Sequence, residues 1–173
     1  MGLRPAKCYR RLERPNTRIS ISKPKKSYVK GVPPGKIHRF NAGIDKPEFT
    51  LKMFLVAKNP VQIRNNALEA ARIAVSKALA KTLGEEGFFV RILVYPHHVL
   101  RENPLATGAG ADRFQTGMRQ SFGRPIGTAA RVMENQRIIE ARVVPGNEAL
   151  CRKALKIAAS KVPTPCRIEE SRV

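Results

Sequence analysis

Two stretches of the chain alternate apolar and other residues with the period of a β-strand. In residues 49–58 the apolar face consists of Phe49, Leu51, Met53, Leu55 and Ala57. Lysines stand on the opposite face at positions 52 and 58, so the pattern predicts a half-buried strand. The stretch FFVRILVY, residues 88–95, alternates in the same way, and Pro96 is expected to end this second strand.

Between these strands the spacing of apolar residues changes to that of a helix. Asn59 is the predicted N-cap, with Gln62 reaching back to it after Pro60 in the first turn, and Gly84 is the predicted end. Helical periodicity gives one face of small residues, made of Ile63, Ala67, Ala70, Ala71, Ala74 and Ala78. The opposite polar face consists of Asn65, Glu69, Arg72 and Ser76. Leu68 is expected on the side that packs on the sheet.

The last third of the chain predicts a hairpin followed by a second helix. The hairpin turn is expected near residues 134–136, with Ile139, Ala141 and Val143 on the apolar face of the returning strand. The helix is predicted over about residues 148–161. Its apolar face consists of Leu150, Ala154, Leu155, Ile157 and Ala158, and its basic face of Arg152, Lys153 and Lys156. The order strand, helix, strand, loop, hairpin, helix indicates an α+β fold in which two main helices pack on one side of a mostly antiparallel sheet.

Positive charge is concentrated in the first 46 residues. They contain 13 Lys and Arg against 2 acidic residues, in a chain of 173 residues with a net charge of +20. Prolines at positions 15, 24, 33 and 34 prevent a helix, so we expect an extended basic N-terminal arm with short strands near residues 18–22 and 36–40. A disordered basic tail is the alternative, but interleaved apolar residues favour a segment pinned on a protein or RNA surface. One domain is predicted, with the arm at 1–46 and the core at 47–173.

The charge also indicates the class of partner. A compact body with this excess of cations repels itself unless a polyanion neutralises it, which favours nucleic acid. The arm residues expected to contact phosphates are Arg4, Lys7, Arg10, Arg11, Arg14, Arg18, Lys23, Lys25, Lys26, Lys36 and Arg39. No apolar run approaches the roughly 20 residues that span a bilayer, so membrane contact is not expected. The start of the chain lacks a signal-peptide pattern, and three widely spaced cysteines are expected to be reduced, which indicates a cytosolic protein.

The stretch TGAGADRFQTGMRQSFGRP, residues 107–125, follows neither period and predicts a flexible loop within about residues 101–125. A dinucleotide fingerprint would require glycine at position 113, where Arg113 stands, and no Gly-Lys-Ser/Thr follows. Arginines at 101, 113, 119 and 124, with Gln115 and Gln120, favour contact with RNA, and a solvated surface loop is the alternative.

Catalysis is not expected from these residues. Asp112 stands alone beside Arg113, and no acid and base pair accompanies a nucleophile. His97 and His98 are adjacent, so they point apart on a strand, and neither a metal site nor a cofactor is predicted. An RNA-modifying enzyme and a DNA-compacting basic protein remain as alternatives to a structural RNA-binding protein.

Several long motifs resemble one known family in the same order. They are RPAKCYR, QIRNNALEAARIA, VRILVYPHHVLREN, GAGADRFQTGMRQSFGRPIGTAARV and ALCRKALKIAASKVP. These motifs are similar to the large-subunit ribosomal proteins called L sixteen in bacteria and L ten e in archaea and eukaryotes. RPAKCYR and the long GAGADR loop indicate the archaeal and eukaryotic branch, and the short acid-poor C-terminal end is more like the archaeal members.

The resemblance implies a hammerhead-like α/β fold that binds large-subunit ribosomal RNA near the base of the central protuberance. It also implies that the long loop projects toward the peptidyl transferase centre and helps to position transfer RNA. The loop residues concerned are Gly108, Gly110, Asp112, Arg113, Gln115 and Arg119. Members of the family are structural, so the implied partners are ribosomal RNA, transfer RNA in the assembled ribosome and neighbouring ribosomal proteins, with no homo-oligomer expected.

Overall fold

Eight strands and two helices make up the part of the chain that the computed structural model describes, which is residues 3–12, 29–103, 108–113, 117–119 and 123–172. The strands are β1 (Asn41–Gly43), β2 (Leu51–Ala57), β3 (Val61–Arg64), β4 (Phe88–Ile92), β5 (His98–Glu102), β6 (Arg124–Val132), β7 (Arg137–Val143) and β8 (Cys166–Arg172). The helices are α1 (Asn65–Leu83) and α2 (Glu148–Ala159), and short 3-10 turns occupy Ala6–Cys8 and Ala111–Arg113.

The strands form two antiparallel sheets. The larger sheet has the order β1-β4-β7-β2-β8, and the smaller has the order β3-β6-β5. Every neighbouring pair in both sheets is antiparallel. We call them the five-stranded and the three-stranded sheet. The α+β class with mostly antiparallel strands, predicted from the order of the elements, is confirmed.

Both helices pack side by side on one face of the five-stranded sheet, α1 against β4 and β1, and α2 against β2, β7 and β8. Helix residues at spacings of three and four are buried there, among them Leu68, Val75 and Leu79 at 0% exposure. The same core continues into the three-stranded sheet through Ile63 and Val132. Burying large apolar side chains contributes roughly 1.5–3 kcal/mol each, so this layer supplies most of the folding energy.

The start of α1 differs from the prediction. Residues 61–64 form strand β3, paired with residues 129–132 of β6, and the helix begins at Asn65. The predicted N-cap at Asn59 with Pro60 in the first turn is therefore wrong, because pairing of β-branched residues with β6 outweighs a local capping pattern. The predicted end is confirmed, since Gly84 ends the helix with φ of 72° and its N–H donates to the carbonyl of Ala80 at 3.0 Å.

The predicted helix faces need small corrections. In α1 the buried stripe runs through Leu68, as expected, but also includes Asn65, which was placed on the polar face, while Ala70 is exposed. In α2 the buried residues are Cys151, Ala154, Leu155 and Ala158. Ile157 was predicted on the apolar face and is 46% exposed. A small rotation of each face from the ideal helical period explains these differences, because each helix contacts both the sheet and the other helix.

The predicted hairpin lies elsewhere in the chain. The turn at residues 133–136 exists, but β6 pairs with β3 and β5 whereas β7 pairs with β4 and β2, so this turn carries the chain from one sheet to the other. The true hairpin joins β5 and β6, and the predicted flexible loop is its connection. The loop is shorter than the predicted range 101–125, because residues 101 and 102 of β5 pair with residues 125 and 124 of β6.

Two of the other predicted strands are confirmed and one is not. The strands predicted at 49–58 and 88–95 are confirmed as β2 and β4, although β2 is buried on both faces from Met53 to Ala57 and not half-buried. No strand occupies residues 36–40, because β1 begins only at Asn41. The strand predicted at 18–22 lies outside the described residues. Strand β8, which follows α2, was not predicted.

The three cysteines are free, as expected. Cys8 is exposed on the N-terminal segment, and Cys166 starts β8. Cys151 is fully buried between α2 and the sheet, and this burial raises the pKa of its thiol to about 12.

Candidate nucleic-acid interface

Residues 3–12, which we call the docked segment, contact all three strands of the three-stranded sheet, and residues 9–11 bond to strand β3 at its edge. The backbone N–H of Gln62 donates to the carbonyl of Arg10 at 2.8 Å, like a hydrogen bond between neighbouring strands of a sheet. The side-chain amide of Gln62 donates to the carbonyls of Tyr9 at 2.9 Å and Arg11 at 2.6 Å. Gln62 is only 6% exposed, so a buried residue of β3 holds the segment through one backbone and two side-chain hydrogen bonds.

A carboxylate at the end of β5 fixes the beginning of the docked segment. Glu102 accepts from Arg4 Nε at 2.7 Å through one oxygen and from the Tyr9 hydroxyl at 3.0 Å through the other. The hydrogen bond from Arg4 is the main reason that the pKa of Glu102 is lowered. The pKa of Tyr9 is raised, mainly by burial and to a smaller extent by the hydrogen bond to Glu102.

Two arginines of the sheet complete the attachment. Arg64 Nη1 donates to the carbonyl of Arg4 at 2.8 Å, and its guanidinium lies 5.8 Å from the centre of the Tyr9 ring. Arg131 Nη2 donates to the carbonyl of Leu12 at 3.1 Å. The backbone of the docked segment is thus held by neutral and cationic donors, and Lys7 and Arg10 are exposed on it.

The predicted arm residues divide into three groups. Arg4, Lys7, Arg10 and Arg11 are exposed on the docked segment, and Lys36 and Arg39 are exposed on the irregular run before β1. The other five, Arg14, Arg18, Lys23, Lys25 and Lys26, lie outside the described residues. The structure therefore brings the first group onto the three-stranded sheet, and the prediction that the whole arm is pinned on a protein or RNA surface stays a prediction.

Charge on this side of the molecule is one-sided. The docked segment and strands β3, β5 and β6 contain eight basic residues, Arg4, Lys7, Arg10, Arg11, Arg64, Arg101, Arg124 and Arg131. Glu102 is the one acidic residue in these same stretches. Lys7, Arg10, Arg101 and Arg124 are exposed cations that attract a polyanion. The spread of the eight basic residues over a segment and three strands gives a surface and not a point site.

A cleft of about 460 Å³ opens within this surface, between the docked segment, residues 33–36 and strands β5 and β6. Its walls include Pro33, Pro34 and Ile126, with Lys36 and Arg64 also lining it. Flat apolar walls beside cations suit the sugar and base faces of RNA together with its phosphates.

The β5–β6 connection carries the predicted loop residues. Gly108 and Gly110 have φ of 136° and 79°, and an added Cβ on either would meet nothing within 4 Å. The 3-10 turn that follows is closed by Arg113 N–H donating to the carbonyl of Gly110 at 3.1 Å. Arg113 and Arg119 are exposed, Asp112 lies in the turn, and Gln115 lies outside the described residues. The predicted loop residues that the structure describes thus share one connection.

The base of the loop depends on a glycine. At Gly123 φ is 76°, and a Cβ there would lie 3.1 Å from the carbonyl carbon of Glu102 and 3.2 Å from Cβ of Arg101. A larger residue would push the strands apart where Glu102 holds the docked segment. The base of the loop at Gly123 and the docked segment therefore both contact Glu102 at the end of β5.

Sequence reasoning missed the residues that anchor the segment, which are Gln62, Arg64, Glu102 and Arg131. Gln62 was given a capping role because strand β3 was read as helix. One signal was available: Glu102 is the single acid between residues 87 and 111.

Features of other functional classes are not found in the described ranges. No three His, Cys, Asp or Glu side chains come together there as a metal site would require. No helix among the described residues is long and apolar enough to cross a membrane. His98 is buried in β5 and His97 is exposed, so the two histidines do point apart.

The chain is similar to proteins of one known family. Residues 16–169 match the family model described as "Ribosomal protein L16p/L10e". The chain is 45% identical over 168 residues to "Large ribosomal subunit protein uL16" of Hyperthermus butylicus, covering 97% of this chain and 93% of the relative. Proteins of the same description from Thermoplasma acidophilum and Methanococcus maripaludis are each 44% identical over 168 residues, covering 97% of this chain and 92% and 94% of the relatives.

Proposed function

Because the chain belongs to the ribosomal protein L16p/L10e family, we propose that it binds large-subunit ribosomal RNA near the base of the central protuberance. The docked segment and the three-stranded sheet form the RNA-binding face in this proposal. The β5–β6 loop extends toward the peptidyl transferase centre and the transfer RNA sites. As a member of this family, the protein is a constituent of the large ribosomal subunit and takes part in translation in the cytoplasm. The archaeal relatives agree with the branch that the motifs indicated.

One observation supports the position of the RNA-binding face: eight basic residues and a single acid occupy the docked segment and the three-stranded sheet. Each phosphate that such a side chain neutralises releases condensed counterions, which favours binding. Fixing the segment beforehand, through Gln62 and Glu102, removes part of the entropy that ordering would cost on binding. The whole chain is then a single RNA-binding domain in which the basic arm adds to the core.

The loop is assigned to transfer RNA by its position and composition. It leaves the sheet as the connection of a hairpin whose base is fixed at Gly123. Arg113 and Arg119 are exposed on it and can donate to phosphates, and glycines let its backbone approach closely. The proposed contact residues are those predicted from the sequence, Gly108, Gly110, Asp112, Arg113, Gln115 and Arg119.

No catalytic step is assigned to the protein. The family is a family of structural ribosomal constituents, and the RNA-modifying and DNA-compacting alternatives find no support in the family match. Ribosomal RNA, neighbouring ribosomal proteins and, through the loop, transfer RNA are the proposed partners, with one copy of the chain in each subunit.

Replacing residues 109–116 with a short Gly-Ser linker tests the role of the loop. The variant is expected to melt like the parent and to enter large subunits, because loop residues outside the strands add little core burial. Transfer RNA binding and peptide-bond formation, measured on subunits of equal occupancy, are expected to fall. A linker of the same length placed at residues 133–136, in the turn between the sheets, serves as the control.

Normal peptide-bond formation in fully occupied subunits would show that the stretch is a solvated loop. A variant that folds but fails to assemble would show that its arginines hold ribosomal RNA and do not reach transfer RNA.

A further inference from the structure

The rings of Phe40, Tyr95 and His97 form an exposed aromatic cluster between the two sheets. We propose that this cluster, the ring platform, is a stacking site for an unpaired nucleobase of RNA. The inference rests on the proposed function, because it specifies one contact of an RNA-binding protein. It differs from the phosphate-binding surface in chemistry, since a base is held by its π face and not by its charge.

The ring geometry supports stacking. The centres of the Phe40 and Tyr95 rings lie 5.2 Å apart with planes 18° from parallel. The Tyr95 and His97 rings are centred 4.4 Å apart and are tilted by 47°. Phe40 is partly buried against the core, whereas Tyr95 is 57% exposed. The platform therefore has a supported inner ring and accessible outer rings.

Exposure alternates strictly along this run of chain. Residues 91, 93, 95 and 97 are exposed and residues 92, 94, 96 and 98 are buried. Tyr95 is thus held outward by its buried neighbours Val94 and Pro96, and its exposure does not result from a loose chain end. An outward aromatic ring on a fixed backbone loses little conformational freedom when a base stacks on it.

Backbone hydrogen bonds fix both sides of the platform. The N–H of Ile92 donates to the carbonyl of Phe40 at 2.8 Å, and the N–H of Leu93 donates to the carbonyl of Ile138 at 2.9 Å. Within the platform, the N–H of His97 donates to the carbonyl of Tyr95 at 3.0 Å. The rings are therefore positioned before any ligand arrives.

The surroundings favour RNA over a protein partner. Arg39, next to Phe40, is exposed and forms no ion pair with the described residues, and Arg91 on the exposed side of β4 is in the same condition. Arg91 lies opposite Glu140 in the strand register, but that carboxylate accepts from Arg142 Nε at 2.7 Å. Arg39 adjoins Phe40 in the chain, and Arg91 lies opposite Asn41 in the strand register, so these two guanidinium groups can meet phosphates on either side of a stacked base.

The ring of Tyr95 can be changed in two ways in the full-length protein. Tyr95→Phe keeps the π face, and Tyr95→Leu removes it while keeping an apolar side chain. Met133→Ala is the matched control, because Met133 is 59% exposed and lies on the turn between the sheets. The probes are a ten-nucleotide oligoadenylate and a backbone of the same length and charge whose sugars carry no bases.

The ratio of the two affinities isolates base stacking, because the contribution of phosphates cancels. We expect the parent, Tyr95→Phe and Met133→Ala to prefer oligoadenylate by about 5-fold to 100-fold, and Tyr95→Leu to lose most of this preference. Quenching of tyrosine fluorescence gives a second readout, because the chain contains three tyrosines and no tryptophan.

An equal preference in the parent and Tyr95→Leu would overturn the ring platform, even if the parent binds large-subunit ribosomal RNA tightly. If Tyr95→Leu keeps the preference but loses a ribosomal protein from reconstituted subunits, the platform is a protein contact and the inference fails. A parent that does not select large-subunit ribosomal RNA over an unrelated duplex of equal length would instead overturn the proposed function.

Discussion

The two sheets of this protein treat their charged residues in opposite ways. On the five-stranded sheet, Arg142 binds Glu140 at 2.7 Å and Asp45 at 2.9 Å, and Glu169 accepts from Arg167. Arginines there also cover aromatic rings, with Arg137 lying 4.1 Å from the centre of the Phe54 ring. The three-stranded sheet and its docked segment contain eight basic residues and a single acid, Glu102, which binds Arg4.

This difference concerns how the charges of the described residues meet a polyanion. Charges that pair within the five-stranded sheet are neutral toward a polyanion at a distance, whereas those of the three-stranded sheet add together. The helical layer on the five-stranded sheet supplies the buried core, so stability and RNA attraction are assigned largely to different parts of one chain. Substitutions in the two parts should therefore give different phenotypes.

The largest expected effect is on the core layer. Leu68→Asp should prevent folding, because Leu68 is fully buried and an unpaired carboxylate there costs several kcal/mol, which is comparable to the whole stability of a domain. Ile126→Asp on the three-stranded sheet should be mild, since Ile126 is 39% exposed. Circular dichroism melts compare the two.

Arg72→Ala is a control on the same helix as Leu68, and it should also be mild. Arg72 binds Glu69 one turn away at the surface of α1, and such pairs contribute only fractions of a kcal/mol. Indistinguishable melts for Leu68→Asp and the parent would mean that the core does not depend on this face of α1.

The burial of Leu68 could be read from the sequence, but the division into two sheets could not. Periodicity predicts β2, β4 and both helices because their apolar residues repeat within one element. Strand β3 has only four residues, and its identity depends on pairing with β6, which lies more than 60 residues away. The turn at 133–136 has the local chemistry of a hairpin, and only the partners of its strands show that it connects two sheets.

The interface was predictable in its residue types and not in its geometry. Composition alone identifies the basic arm and the arginines of the loop. That Arg4 and Tyr9 meet at Glu102, across more than 90 positions, follows from the fold and leaves no short-range pattern. The same holds for the ring platform, where Phe40 and Tyr95 approach from segments more than 50 positions apart in the chain.

A change in salt dependence should distinguish the charges of the two sheets. The first variant carries Lys7→Gln, Arg10→Gln and Arg124→Gln, and the second carries Arg137→Gln, Arg152→Gln and Arg167→Gln. Both lose three positive charges, but each arginine of the second set is paired with a glutamate. The slope of log affinity for large-subunit ribosomal RNA against log salt should fall by about 2 to 3 in the first variant, if each residue meets one phosphate.

In the second variant the slope should change by less than about 1, because its side chains already have partners. Equal losses in the two variants would show that RNA responds to net charge alone. In that case the separation between the sheets would have no functional meaning.

The smallest expected effect concerns the attachment of the docked segment to the three-stranded sheet. Glu102→Gln keeps an oxygen near Arg4 and Tyr9 but removes the charge, so the segment should open more often. Hydrogen exchange at the Gln62 amide, which donates to Arg10, reports this opening directly. Relative to the intrinsic rate, we expect exchange about 2-fold to 5-fold faster than in the parent at neutral pH.

The same attachment should depend on pH. The pKa of Glu102 is lowered in the folded protein, so the stability that its carboxylate contributes is present above the ordinary glutamate pKa and is lost as pH falls through the lowered value. Protection of Gln62 in the parent should therefore decline on acidification, and this decline should be absent in Glu102→Gln. Glu86→Gln, which removes an exposed partner of Lys46 beside the five-stranded sheet, should leave Gln62 unaffected. Identical protection in the parent and Glu102→Gln at neutral pH would mean that Gln62 holds the segment without help from the single acid of this sheet.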